Sequence, residues 1–209
     1  MADDPQKDAT MAEICRAPTW RSAAAAALIA GCAFALVAGA QVLPRAADTT
    51  AQLHHLHDWD FLVGRWNVHH RRLKGWFVGS TTWDEFNGTC VDWAPGGYAN
   101  VDDNLLEAPS GTYRGVTIRT FDVESGLWSI WWVDSRYPTS TVDAAVRGRF
   151  RAGEGEFFGA GLEQGRQIKW RTRWSRITPT SAHWEQATST DGGLTWETNW
   201  IMEFSRVSA

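Results

Sequence analysis

A chain of 209 residues with a formal net charge of −4 has room for one ordinary domain and an appendage. It lacks the length for the repeated four-stranded blades of a propeller and the basic field that recruits nucleic acid, so neither class is expected. Its 14 tryptophans are the compositional outlier, because Trp suits wide apolar surfaces that still need one polar contact; three cysteines (Cys15, Cys32 and Cys90) are too few for a disulfide scaffold.

From Ser22 to Pro44 no residue is charged, Arg16 and Arg21 precede the run, and Ala38-Gly39-Ala40 supplies a small-x-small site before Gln41. This is the layout of an export signal over residues 1–40, with Met11 an alternative start. Two other readings compete. Ile29-Ala30-Gly31-Cys32 reads as a lipobox that would lipidate Cys32, and residues 22–43 are long enough to associate with a membrane as an uncleaved anchor. Alanine contributes little transfer free energy, which favours cleavage. The protein is therefore expected to be exported, periplasmic or secreted. The exported part keeps only Cys90 and must be held by its core.

Residues 41–57 read as a linker ending in a short helix, Ala51–His57, and residues 58–209 as the folded domain. His54, His55 and His57 with Asp58 could be argued as two or three metal ligands, but no second cluster completes a site, so no metal is expected. Beyond Asp60 the period is two, with turn signals roughly every ten residues. The strand candidates are Gly64–Leu73, Ser80–Asn87, Thr89–Trp93, Gly115–Phe121, Leu127–Asp134, Val146–Arg151, Glu156–Ala160, Gln167–Arg176, Ala182–Thr188 and Thr195–Ser205. Gly96–Gly111 reads as a rim loop whose Asn100, Asp102, Asp103 and Asn104 lack the spacing of an EF-hand. Most strands have one apolar and one polar face and follow one another through short turns, which predicts an all-β, antiparallel up-and-down barrel of about 8–10 strands. The string Ser189–Trp196 matches the Asp-box, S-x-D-x-G-x-T-W, of sialidase-type propeller turns. A single copy reads here as a hairpin clasp, with Asp191 accepting backbone N–H bonds, Gly192 and Gly193 at positive φ, and Trp196 beginning an inward face.

The stretch Asp58–Trp66, with Gly64-Arg65-Trp66 as its G-x-W, resembles the first-strand signature of the calycin superfamily, the lipocalins and their relatives. That resemblance implies that Trp66 closes the barrel floor and that Arg206, from the last strand, packs across it. "DFLVGRW", "FDVESGLWSIWWVDSR" and "STDGGLTWETNW" are similar to an uncharacterised bacterial family, a domain of unknown function with a calycin-like barrel, over residues 57–206. A fold that hosts many functions transfers little about chemistry. Related barrels such as nitrobindins bind haem through a late His. The late residue here, His183, has the opposite parity to the inward Trp184, so no cofactor is expected.

Parity sends Trp66, His70, Trp83, Trp128, Trp132, Asp134, Trp170, Trp184 and Gln186 inward, with Arg72 and Glu85 as further polar candidates. Buried polar groups without partners are costly, so their presence suggests a Trp-walled cavity for a small hydrophobic or aromatic ligand; a filled core is the alternative. Arg136 at the barrel mouth could grip an anionic group or simply pair with Asp134. An enzyme of the same shape would use His70 with Asp134 or Glu85 for acid–base work. A carbohydrate-binding module would stack sugars on an exposed Trp76 or Trp131. Lys169, Arg171 and Arg173 form an outward, solvated stripe, and no nucleic-acid partner is expected.

Overall fold

The period-two pattern becomes ten antiparallel strands in a computed structural model that describes residues 52–137, 145–163 and 165–208. They are β1 Gly64–Leu73, β2 Trp83–Trp93, β3 Ala99–Ala108, β4 Gly111–Asp122, β5 Leu127–Asp134, β6 Val146–Arg151, β7 Glu154–Glu163, β8 Arg166–Ser175, β9 Ser181–Ser189 and β10 Glu197–Arg206. Each strand pairs with its neighbours in sequence, and β1 closes on β10, from Trp66 opposite Arg206 to Arg72 opposite Trp200. Closure leaves no free sheet edge. The export signal with its Met11 start, the lipobox at Cys32 and the anchor reading of residues 22–43 lie outside the described residues. No helix among the described residues is long and apolar enough to cross a membrane.

Two strand expectations are corrected. Ser80–Asn87 and Thr89–Trp93 are one strand, β2, running straight through Asn87-Gly88. Gly88 is required there by close approach: a Cβ would sit 2.4 Å from the Leu105 carbonyl oxygen and 2.8 Å from His70 Nε2. The supposed rim loop 96–111 holds β3, in which Asn100, Asp102, Asn104 and Leu106 are buried and alternate with Val101, Asp103 and Leu105. Its inward face is mostly polar, so apolar alternation could not reveal it.

The floor is built by the segment leading into β1. A short 3-10 turn, His54–His57, precedes Trp59 and Leu62, both fully buried. Trp59 meets Phe150, Trp174 and Trp128 edge-on, with ring centroids 5.0, 5.6 and 6.1 Å apart. Trp66 donates from Nε1 to the Leu62 carbonyl at 2.6 Å, and the Arg206 guanidinium lies 4.0 Å from its ring centroid. Arg206 also donates to the carbonyls of Val63 (2.8 Å), Pro179 (2.6 Å) and Phe61. One guanidinium thus ties three chain segments over one indole, a combined cation–π and hydrogen-bond closure.

At the other end of the barrel, Asp191 clasps the β9–β10 turn. Its carboxylate accepts the N–H groups of Leu194 and Thr195 at 2.9 Å and the Thr195 hydroxyl at 2.6 Å, while Gly192 and Gly193 have φ of 78° and 98°. These bonds hold the Asp191 carboxyl well below the usual range, the Thr195 hydroxyl contributing most. After the turn the register shifts between Thr198 and Trp200. That bulge buries Asn199 completely, while Leu194, in the turn before it, stands in solvent. Trp196 does not begin an inward face: it packs outside against Phe158 and beneath Arg171.

Candidate functional site

Above the floor the barrel is hollow. A cavity of about 200 Å³ is walled by Trp132, Trp170, Trp184 and Trp200, with Trp174 and Phe204 beneath and Ile130, Val146 and Met202 filling the gaps. Small residues opposite the rings hold the space open. A Cβ on Gly115 would fall 2.0 Å from the Trp132 ring, and one on Gly161 would fall 2.7 Å from Trp170, so both indoles lie flat against the wall where a side chain would have pushed them inward. Trp200 meets Trp184 edge-on at 5.7 Å and Trp132 at 6.5 Å.

The remaining wall is largely polar and comes from β3 and β4, backed by Asp92 of β2. Arg119 is buried and pairs with Asp102 and with Asp92 (3.4 Å), while also donating to Asn100. Asn100 Nδ2 donates to Asp92 at 2.7 Å; the Thr117 backbone N–H (3.1 Å) and Asn104 Nδ2 donate to Asp102. The guanidinium stacks 4.3 Å from the Trp59 ring. Of this network Asp102, Asn104 and Arg119 reach the cavity, joined by Thr117, Thr172 and Gln186. Two carboxylates share one guanidinium in a buried site. Burial pushes the Asp92 carboxyl up to about 7, assisted by the charge of Asp102 and opposed by Arg119 and Asn100. Burial also pushes the neighbouring Cys90 thiol up.

His70 faces the cavity and is almost fully buried. It stacks on Phe86 (4.7 Å, 7° between planes), and its Nδ1 accepts the Trp200 indole N–H at 3.2 Å. Burial, with the charges of His69 and Arg72, lowers it to about 3. The ring is therefore neutral at physiological pH, with Nδ1 occupied as an acceptor.

Of the residues read as inward from the sequence, His70, Trp132, Trp170, Trp184 and Gln186 line the cavity. Trp66 and Trp128 do not: both are fully buried in the floor, where Trp128 Nε1 donates to Asp58 at 3.1 Å. Trp83 and Glu85 lie on the outer face, because the uninterrupted β2 turns Phe86, Gly88, Cys90 and Asp92 inward in their place. Trp83 is covered there by Arg71 at 5.2 Å, and Glu85 pairs with the same Arg71 at 3.3 Å. Asp134 and Arg136 close on each other at the mouth, with Nη2 to Oδ2 at 2.6 Å and Nε to Oδ1 at 3.0 Å, and Arg136 lies 3.6 Å from the Tyr113 ring centroid. Burial opposes ionisation of Asp134, but the Arg136 side-chain and backbone donors hold its carboxyl below the ordinary value. The acid–base trio of His70, Asp134 and Glu85 is thus not assembled.

The other candidates fall outside the cavity. His55 pairs with Asp58 (3.0 Å) and His57 with Asp60 (2.8 Å), and no three potential metal ligands converge among the described residues. His54 and His55 border a second, more open surface groove. His183 is on the outer face, 2.8 Å from Glu203. Trp131 stands outside, opposite Ile118, and Trp76 lies in the β1–β2 loop beside Arg72. Sequence reasoning missed Asp92 and Arg119, and took Asn100, Asp102 and Asn104 for a loop. The available signal was the polar alternation Asn100-x-Asp102-x-Asn104.

Fold and site define a class: a closed ten-stranded antiparallel barrel with an aromatic floor and a hollow upper half. The chain is similar to several solved structures. Rv2717c from M. tuberculosis is 11% identical, with 74% of this chain and 98% of that one covered and a TM-score of 0.53. The S-type phycobiliprotein lyase CPES from Guillardia theta is also 11% identical, covering 78% of this chain and 98% of that one, with a TM-score of 0.48. EF1p2_mFAP2b bound to DFHBI is 11% identical over 73% of this chain and 99% of that one, with a TM-score of 0.41. No protein-family model and no curated protein matches the sequence. At such identities the likeness concerns the fold alone.

Proposed function

We propose that this is an exported barrel, with residues 1–40 as its export signal and residues 58–209 as a carrier or receptor for a small hydrophobic or aromatic molecule. The carrying observation is the cavity between Trp132, Trp170, Trp184 and Trp200, faced on one side by Asp102, Asn104, Thr117 and Gln186. Apolar walls with a few convergent polar groups are the usual form of a small-molecule site. A dry cavity of about 150 Å³ accepts benzene, so about 200 Å³ suits a ligand with one or two rings. The neutral His70, engaged by Trp200, supports binding over acid–base catalysis.

Native mass spectrometry of protein purified from the exported fraction tests both parts. The expected polypeptide begins at Gln41 and carries a small non-covalent adduct that quenches Trp fluorescence when added back to stripped protein. An uncleaved chain would refute cleavage before Gln41, and absence of the protein from the exported fraction would refute the export signal. Absence of any adduct, together with no quenching by one- and two-ring aromatics, would refute the ligand site.

A further inference from the structure

The inward row of β1 continues past His70 to Arg72, directly opposite Trp200 on β10 and Asp84 on β2. Arg72 is half-buried, its guanidinium 4.9 Å from the Trp200 ring centroid and 5.8 Å from that of Trp76. One Nη lies 3.5 Å from the Tyr113 hydroxyl. Among the described residues no carboxylate lies within ion-pairing distance of Arg72. The nearby acids are engaged: Asp84 by Lys74 at 3.1 Å, Asp134 by Arg136, and Glu197 by the Phe77 N–H at 3.0 Å. A guanidinium flanked by two indoles, beside a phenol and without a paired carboxylate, offers a fork to an incoming anion.

We infer that Arg72 and Tyr113 form an anion subsite at the cavity mouth, and that the ligand is an aromatic monocarboxylate whose ring enters among the tryptophans while its carboxylate stays at Arg72. This rests on the cavity being a ligand site. A single guanidinium at the mouth, with no carboxylate paired to it among the described residues, matches a single negative charge, and its planar fork matches a carboxylate better than a phosphate dianion, which would need a second cation. Trp200 links the two parts, since one ring borders both the cavity and the Arg72 guanidinium. Burial pushes the Tyr113 hydroxyl up, so it remains a donor to the same carboxylate.

The test titrates the full chain with 2-naphthoate and with its neutral isostere 2-naphthamide, reading Trp fluorescence and calorimetry. Naphthoate is expected to bind roughly tenfold more tightly or better, the scale of a charge-assisted pair. In Arg72→Gln the preference should collapse to within about twofold, and in Arg72→Lys, which keeps the charge without the fork, it should be intermediate. Equal binding of both probes by the unaltered protein would overturn the anion subsite and leave the cavity reading intact. Binding of neither would overturn both. The first comparison needs no variant, so misfolding of a substituted chain cannot obscure it.

Discussion

Asp92 and His70 are two buried groups whose linkages to folding run in opposite directions. Asp92 titrates near 7 in the fold against 3.8 when free. As pH rises through that window the unfolded chain sheds the proton first, so stability falls, by about 4 kcal/mol in all. His70 titrates near 3 against 6.5. As pH falls from 6.5 the unfolded chain takes up a proton that the fold refuses, so stability falls in that direction by about 5 kcal/mol. Between pH 4 and 6.5 each slope is about 1.4 kcal/mol per pH unit, with opposite signs, so the two groups cancel in the unaltered protein.

Substitution separates them. Asp92→Asn keeps the acceptor for Asn100 and removes the carboxylate, whereas His70→Asn keeps an acceptor for the Trp200 indole and removes the imidazole. Relative to the parent, Asp92→Asn should gain stability by about 1.4 kcal/mol per unit as pH rises from 4 to 6.5. His70→Asn should gain by the same slope as pH falls. Urea unfolding followed by Trp fluorescence at pH 4, 5, 6 and 7 reads both differences, and contributions from other groups cancel. A stability difference that stays constant with pH for either variant would refute the assigned burial of that group.

Further variants examine the rest of the construction. Gly115→Ala places a methyl group against Trp132 and should cost about 1–3 kcal/mol by overpacking while weakening the binding of one-ring ligands, as calorimetric melting and titration would show. Arg206→Met removes the bonds to three carbonyls over Trp66 and should destabilise by about 2–4 kcal/mol, read from denaturant midpoints. Arg119→Met strands the Asp102 and Asp92 carboxylates and should cost about 3–5 kcal/mol at pH 8, with a smaller cost at pH 5, where Asp92 is protonated. Asp191→Ala should leave the barrel folded but speed amide exchange at Leu194 and Thr195, measured by hydrogen–deuterium exchange.

The barrel was legible where lumen-facing residues are apolar. β1, β5 and β6 match their sequence boundaries because Trp66-x-Val68 and Trp128-x-Ile130 alternate between turn signals. It was illegible where polar residues face inward. β3 looked like a loop because Asn100, Asp102 and Asn104 satisfy one another and Arg119 in place of packing. Asn87-Gly88 imitated a hairpin, because a glycine demanded by close approach carries the same letter as one demanded by a turn. That misreading reversed the parity of β2, placing Trp83 and Glu85 inside and hiding Asp92. The bulge at Asn199 had no local signal, and it is what sends Trp196 outward.

The lumen is thereby divided lengthwise. One wall, from β5 to β10, is aromatic; the other, from β2 to β4, carries a buried guanidinium with its two carboxylates. Burying such charges seldom adds net stability, since desolvation offsets most of the attraction. A filled apolar core would have been the simpler way to hold this barrel together. The network does two things that an apolar filling would not: it keeps that wall hydrogen-bonded beside an open space, and it makes the space chemically asymmetric. Asp102 accepts from Arg119, Asn104 and the Thr117 N–H, so it is held by its own wall and orients it. At the mouth, Arg72 has no carboxylate paired to it among the described residues. A guest of the proposed kind would meet aromatic rings along one side, a hydrogen-bonded polar wall along the other and the Arg72 guanidinium behind it, an arrangement that would select for orientation as well as size.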